Sequence, residues 1–164
     1  MSPASVPDVE IVYDQPAVAI GWRPPVLVVW WKQAPTLPAA IQVNERASKI
    51  MQAHPGGSIF IVLTNADHGA PERAAANALG QATRALEKHI LAHAFVIEGQ
   101  GLKAGAIRAT VKTLQSLTRV IFPWTIAATT EEGILWVARK AKFLSEEEAQ
   151  VVLADVKTLK ATRP

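Results

Sequence analysis

The run SIFIVLTN at residues 58–65 limits how this chain can fold more than any other stretch. It is continuously apolar from Ile59 to Leu63, and it lies between two segments with helical spacing. A strand with one face in water alternates apolar and polar residues, whereas a strand covered by helices on both faces is apolar throughout. We therefore expect residues 58–65 to form a central strand with helices on both sides of its sheet.

Other apolar runs predict the remaining strands. Residues 9–13, 17–22 and 26–31 are short β-rich runs separated by the turn signals DQP and RPP, which indicates an antiparallel meander. The run AHAFVIEG at 92–99 predicts a second buried strand, adjacent or close to the first. The last strand is expected within FPWTIAAT at 122–129.

The segments between these strands have helical spacing. Thr36 is a candidate N-cap for a first helix that ends before HPGG at 54–57. A second helix is expected from Pro71 to about Ile90 and a third after Gly101, each with apolar residues three or four positions apart. The residues expected to be buried on these helices are Ala40, Val43, Ala47 and Ile50 on the first, Ala76, Leu79, Thr83, Leu86 and Ile90 on the second, and Ile107, Val111, Leu114 and Thr118 or Ile121 on the third.

Two further helices are expected after the last strand. Thr130 is the predicted cap of the first of them, and Ser145 with Glu148 forms a capping box for the second, which runs to about Lys160. The order of elements predicts an α/β fold: a single-domain sandwich on a mixed β-sheet with parallel central strands and crossover helices. We expect a flexible leader at 1–8, the domain at 9–141, and a C-terminal helix and tail at 142–164 packed on or near it.

Composition narrows the possible functions. The 164 residues include no cysteine, which removes disulfides, thiolate zinc sites and cysteine nucleophiles. A formal charge of +3 is too small to indicate nucleic-acid binding without a concentrated basic patch. The first residues lack the regions of a secretion signal, and no apolar run approaches the ~20 residues that span a bilayer. A soluble, cytoplasmic protein is the default expectation.

Several of these segments together resemble a known family, the STAS domain. They are the hairpin, the helix that follows APT, the strands IFIVLTN and FVIEGQG, and TTEEGILWV after the last strand. The likeness covers about residues 9–141 and is to the bacterial anti-sigma-factor-antagonist-like branch, in which a Glu-Ala pair precedes a Trp-Leu ending. Here Gly133 stands in place of that alanine, and Val137 in place of that leucine.

The resemblance implies a binding or switching module without catalytic chemistry of its own. Its partner would be a regulatory protein or a second copy of the chain. In the antagonists, phosphorylation of a serine or threonine in the turn after a central strand breaks docking to a kinase-type partner. In this chain no hydroxyl residue lies between Asp67 and Arg73, so we expect no phospho-switch.

The glycine-rich segment GQGLKAG at 99–105 does not match a nucleotide-binding motif. It is one residue longer than the dinucleotide fingerprint, and Lys103 is not followed by the serine or threonine of a P-loop. The expected role is structural: Gly99 and Gly101 permit positive φ at a strand-to-helix turn, and Gly105 lets the helix pack closely on the sheet. The alternative is an anion at the helix N-terminus, with Lys103 as its counter-charge.

Polar residues follow the two buried strands at the edge where open parallel sheets bind ligands. The candidate ligand-binding residues are Asp67, His68, Glu98, Gly99, Gly101 and Lys103. The histidines lack the spacing of a metal site, so no metal or cofactor is predicted, and we expect them at surface or boundary positions. No Gly-x-Ser-x-Gly elbow occurs, and no catalytic residue is assigned.

Two helices carry basic stripes that are expected to face solvent. The candidate partner-binding residues are Arg73, Arg84 and Lys88 on the second helix and Arg108, Lys112 and Arg119 on the third. No acidic residue occurs between Gly101 and Val120. If both helices lie on one side of the sheet, the stripes form one basic surface that would attract an acidic protein.

Two classes of function remain open. The favoured one is a non-enzymatic STAS-like interaction or regulatory module. The alternative is a small anionic-ligand binding protein or enzyme, with its site at the rim formed by Asp67, His68, Glu98 and Gly101. The two differ in whether the rim side chains converge on one pocket. Most of the five tryptophans are expected in the core, with Trp30 and Trp31 on opposite faces of one strand.

Overall fold

One mixed sheet organises the chain in a computed structural model that describes residues 8–161. Its six strands lie side by side in the order in which they occur along the chain. The strands are β1 (Glu10–Asp14), β2 (Val18–Arg23), β3 (Val26–Trp31), β4 (Ser58–Asn65), β5 (Ile90–Glu98) and β6 (Trp124–Ala127). The first three pair antiparallel, and β3 to β6 pair parallel. The predicted α/β fold with a mixed sheet is confirmed, and residues 1–7 of the predicted leader lie outside the described residues.

Helices cover both faces of this sheet. They are α1 (Leu37–Gln52), α2 (Arg73–Ala85), α3 (Gly101–Thr118), α4 (Thr130–Arg139) and α5 (Glu146–Lys160), with short 3-10 turns at Ala66–His68 and Glu87–His89. Apolar side chains of α1, α2 and α3 pack on one face, and those of α4 and α5 pack on the other. None of the helices within residues 8–161 has the length and hydrophobicity to cross a membrane.

The strand β4 lies in the middle of the sheet, between β3 and β5. Ile59, Ile61 and Leu63 belong to the core under α4 and α5, while Phe60 and Val62 belong to the core under α1 and α2. All five of these side chains are buried. The prediction that the strands around 58–65 and 92–99 are neighbours, buried on both faces, is confirmed.

The second helix ends earlier than predicted, and the third buries fewer side chains than predicted. α2 stops at Ala85, and Ile90 begins β5 because it pairs with Ser58 in the sheet. On α2 the buried alanine is Ala75, and Ala76 is exposed. On α3 only Ala104 is buried, because the helix lies near the edge of the sheet and little structure covers its C-terminal half.

The caps of the last two helices agree with the sequence except at one residue. Ser145 Oγ accepts a hydrogen bond from the Glu148 backbone N–H at 3.0 Å, as expected for the cap of α5. α4 is capped by Thr129, whose Oγ1 accepts from the Glu132 N–H at 3.1 Å. The predicted cap, Thr130, is the first residue of the helix, and its hydroxyl bonds elsewhere.

A glycine does allow a helix to pack closely on the sheet, but the residue is Gly133. A Cβ built on Gly133 would lie 2.8 Å from Val96 Cγ2, so α4 can approach β5 only without a side chain there. Around Gly105 a Cβ would meet no atom within 4 Å, and this residue is exposed. The role predicted for Gly105 was therefore wrong.

The histidine at position 93 is part of the core, which corrects the expectation of surface or boundary histidines. Its side chain stacks on Phe60 with ring centroids 5.0 Å apart and meets Phe95 and Phe122 edge to face. No hydrogen-bond partner reaches His93 Nε2 among the described residues. Burial without a partner lowers the pKa of His93 to about 4, so the ring is neutral in the folded protein at pH 7.

The tryptophans contribute mainly to the core. Trp31 is buried and lies under α1, while its neighbour Trp30 is half-buried and packs against the core on the other face. The two rings therefore lie on opposite faces of β3, as predicted. Trp22, Trp124 and Trp136 are half-buried and also pack against core side chains.

Stability should depend strongly on the centre of β4. Replacing Ile61 with alanine should lower the free energy of unfolding by about 2–5 kcal/mol, since the side chain is fully buried and its removal leaves a cavity. Urea denaturation measures this loss. The matched control is Ile41→Ala on α1, where the isoleucine is 51% exposed and little should change. A loss well under 1 kcal/mol at Ile61 would contradict the central position of β4.

Stability should also depend on pH through His93. Its folded pKa is lowered, so the unfolded chain binds more protons, and the stabilisation is complete above the unfolded value near 6.5. The stabilisation should decline as the pH falls from 6.5 through about 4, by roughly 3 kcal/mol in total. Urea melts of the protein and of His93→Leu across this range give the difference curve, which cancels the carboxylates common to both. Parallel curves for the two proteins would show that folding does not lower the pKa of His93.

Candidate functional site

A cleft opens at the carboxyl ends of β5 and β6. Its volume is about 590 Å³, and it is lined by Glu98, Gly99, Gln100, Gly101, Arg108, Ala128, Thr129 and Thr130. Both α3 and α4 begin at this cleft, because each follows directly after the strand that ends there. The positive dipole ends of two helices therefore lie beside the same space, and the N–H of Glu132 in α4 is already bonded to the Thr129 hydroxyl.

Two glycines shape the turn between β5 and α3. Gly99 and Gly101 have φ angles of 125° and 89°, which side-chain-bearing residues rarely adopt. A Cβ on Gly99 would also lie 3.2 Å from the Ala66 Cβ, so the turn lies close against the end of β4. The structural role predicted for these two glycines is confirmed.

The carboxylate of Glu98 is already held by two partners. It accepts a hydrogen bond from Thr130 Oγ1 at 2.9 Å and forms an ion pair with Lys160 Nζ. Lys160 is the last residue of α5, so the contact joins elements that are distant in sequence. This pairing offsets the charge of Glu98 within the cleft and occupies its carboxylate with two donors.

The guanidinium of Arg108 is also engaged. Its Nη1 donates to the backbone carbonyl of Ile97 at 2.9 Å and to that of Gly99 at 3.1 Å. Arg108 is consequently half-buried and fastens α3 to the end of β5. The expectation that Arg108 faces outward with the other basic residues was wrong, because the carboxyl end of β5 offers two carbonyl oxygens within its reach.

The rest of the predicted rim lies outside the cleft. Asp67 and His68 are exposed in the 3-10 turn after β4, where the Asp67 N–H bonds to Asn65 Oδ1 at 2.9 Å. Lys103 is exposed on the first turn of α3. The structure thus brings together Glu98, Gly99 and Gly101 but not the other three candidates.

Sequence reasoning missed several residues of the cleft. Thr129 and Thr130 follow β6 and so reach the same edge of the sheet, a position that the strand order alone could have indicated. Arg108 and Lys160 belong to helices, and no local sequence pattern predicts that they contact the cleft. Within residues 8–161 no group of three or more histidine, aspartate or glutamate side chains could hold a metal ion.

The basic stripes, apart from Arg108, lie on the surface of the molecule. Arg73 and Arg84 are exposed on α2, Lys88 is exposed in the turn after it, and Lys112 and Arg119 are exposed on α3 and at its C-cap. Since α2 and α3 pack on the same face of the sheet, these residues share one side of the molecule. We call them the basic surface: Arg73, Arg84, Lys88, Lys112 and Arg119.

Comparison with known proteins gives no relative. The chain matches no protein family, no curated protein and no solved structure. The geometry of the cleft and of the surface is therefore the basis for any functional proposal.

The bonds of Arg108 should contribute to stability. Replacing Arg108 with methionine should lower the free energy of unfolding by about 1–3 kcal/mol, since the carbonyls of Ile97 and Gly99 lose a half-buried donor. The matched control is Lys112→Met on the same helix, which should change stability by under about 0.5 kcal/mol because the side chain is exposed. Equal losses in chemical denaturation would contradict an anchoring role for Arg108.

Proposed function

We propose that the protein is a non-enzymatic, STAS-like interaction module that binds an acidic regulatory protein through the basic surface. The observation that carries this proposal is the common side of α2 and α3, which places five exposed cations on one side of the molecule. Long-range attraction to such a region speeds association with an acidic partner and sets its orientation.

The charges around the basic surface favour a partner of opposite sign. No acidic residue lies between Gln100 and Thr130, so α3 and the loops beside it carry cations alone. Beside α2, one oxygen of the Glu72 carboxylate accepts a hydrogen bond from the Leu37 N–H at 3.0 Å. Glu87, between Arg84 and Lys88, is the one acidic residue within that stripe.

The state of the cleft supports binding over catalysis. General acid–base chemistry needs a titratable group within hydrogen-bond reach of a substrate proton. In the cleft, Glu98 is paired with Lys160 and Thr130, and Arg108 is bonded to two backbone carbonyls. The hydroxyl of Thr130 is also bonded to Glu98, and that of Thr129 caps α4.

The second candidate is a small anionic ligand in this cleft. Two helix N-termini and the hydroxyls of Thr129 and Thr130 favour it, since free N–H groups and a positive dipole end attract anions. The carboxylate of Glu98 lies in the same space and opposes an anion, although Lys160 offsets its charge. The basic surface carries no such opposing group on α3, and for that reason we place the partner there.

Charge reversal tests the proposed surface. Replacing Arg73 and Arg84 with glutamate should abolish capture of partners that the unaltered protein recovers from its native host. The melting temperature should hardly change, because exposed charges contribute little to stability. Partner binding by the unaltered protein should weaken as salt is raised, over a Debye length of ~8 Å at physiological ionic strength.

The matched control reverses the same amount of charge on the opposite face of the molecule. Lys140→Glu with Lys157→Glu changes exposed residues at the end of α4 and on α5 and should leave capture intact. Capture that persisted after reversal at Arg73 and Arg84, with unchanged salt dependence, would remove the basic surface from the interaction.

A further inference from the structure

The most exposed large apolar side chains in residues 8–161 lie on α3 or directly after it. Leu102 is 95% exposed, Leu117 73%, Ile121 72% and Leu114 59%, whereas most large apolar side chains of the molecule are in the core. Single exposed leucines are ordinary on protein surfaces, but a group of them on one element indicates a contact site.

Three of these residues lie together at the C-terminal end of α3. Leu114 and Leu117 are three positions apart and so share one side of the helix, and Ile121 follows just after the helix ends at Thr118. Lys112 is exposed on a different side of the helix, since it is two positions from Leu114 and five from Leu117, and Arg119 is exposed at the C-cap. We call this group the α3 end patch: Lys112, Leu114, Leu117, Arg119 and Ile121.

The topology places further positive charge at the same edge of the molecule. α3 runs from the carboxyl end of β5 to the amino end of β6, and α2 likewise ends where β5 begins. The exposed Arg84 and Lys88, at the end of α2, therefore lie toward the same edge as the α3 end patch. The charged residues at this edge are cationic apart from Glu87, and α3 itself carries no acidic residue.

We propose that the α3 end patch docks on the surface of a membrane that contains anionic lipids. The patch joins protruding aliphatic side chains with cations, which is the composition of helices that lie in a membrane interface. Its side chains do not line the cleft at Glu98, and it contains no aromatic anchor of the kind that dominates protein–protein contacts. This inference goes beyond the proposed function and does not depend on it.

The apolar and the cationic residues of the patch would contribute to membrane binding in different ways. Leu114, Leu117 and Ile121 would enter the boundary between headgroups and acyl chains, while Lys112 and Arg119 would stay at the lipid phosphates. Neutral vesicles would gain only the apolar contribution, whereas anionic vesicles would gain both. The attraction of the cations should weaken as salt is raised.

The absence of cysteine permits a direct test in the full chain. The variant Thr113→Cys, at an exposed position four residues before Leu117 on the same side of α3, carries an environment-sensitive fluorophore, and vesicles of two parts phosphatidylcholine to one part phosphatidylglycerol are added. We expect a blue-shifted, stronger emission that is much smaller with phosphatidylcholine alone. The matched control is the same label at Ile41 of α1, which is also exposed and lies outside the patch, and its emission should not change.

Vesicle flotation of unlabelled variants completes the experiment. Leu117→Ser and Ile121→Ser should each weaken partitioning by about tenfold, and Lys112→Glu with Arg119→Glu should remove the preference for anionic lipid. Ile41→Ser should behave as the unaltered protein, and thermal melts verify that each variant is folded. No emission change at Thr113, an equal change at Ile41, or flotation insensitive to these substitutions would overturn the proposal. An emission change produced only by a soluble acidic protein would also overturn it.

Because the test of the proposed function alters Arg73 and Arg84, and this test alters α3, the two can fail separately. If the partner test fails and the protein still floats with vesicles, the membrane proposal stands and the proposed function does not. If the partner test succeeds and the protein does not bind vesicles, the proposed function stands and the membrane proposal does not.

Discussion

Burial of β4 on both faces is the constraint on which the rest of the structure depends. A strand with the sequence IFIVL must exclude water from both sides, and the fold meets this requirement with α1 and α2 on one side and α4 and α5 on the other. Parallel neighbours joined by crossover helices follow from the same requirement. They also bring the ends of β5 and β6 to one edge, where α3 and α4 begin and the cleft forms.

Structural features that depend on neighbouring residues could be predicted from the sequence. Features that depend on contacts between distant parts of the chain could not. The strands, the order of elements and the cap at Ser145 follow from apolar runs and short polar motifs. The end of α2 does not, because Ile90 fits the apolar face of a helix and a buried strand equally well, and pairing with Ser58 decides between them. Leu114 likewise fits a buried helical stripe, but α3 lies near the edge of the sheet, and too little structure is there to cover it.

The candidate site was predictable only as far as strand ends could indicate it. Glu98, Gly99 and Gly101 line the cleft because they end β5, a position that the apolar run revealed. Asp67 and His68 end β4 by the same reasoning, but the 3-10 turn leaves their side chains exposed outside the cleft. Arg108 and Lys160 were beyond sequence reasoning, since both reach the end of β5 from other elements and their contacts exist only in the folded chain.

The pairing of Glu98 with Thr130 and Lys160 has a consequence for the order in which the chain can assemble. The three residues come from β5, α4 and α5. Thr130 and Lys160 lie 32 and 62 positions after Glu98 along the chain. Contacts between such distant positions form slowly, because the intervening chain must first be ordered. During synthesis the strands and α3 leave the ribosome before α5 does, so the mouth of the cleft is completed only after the sheet has been synthesised.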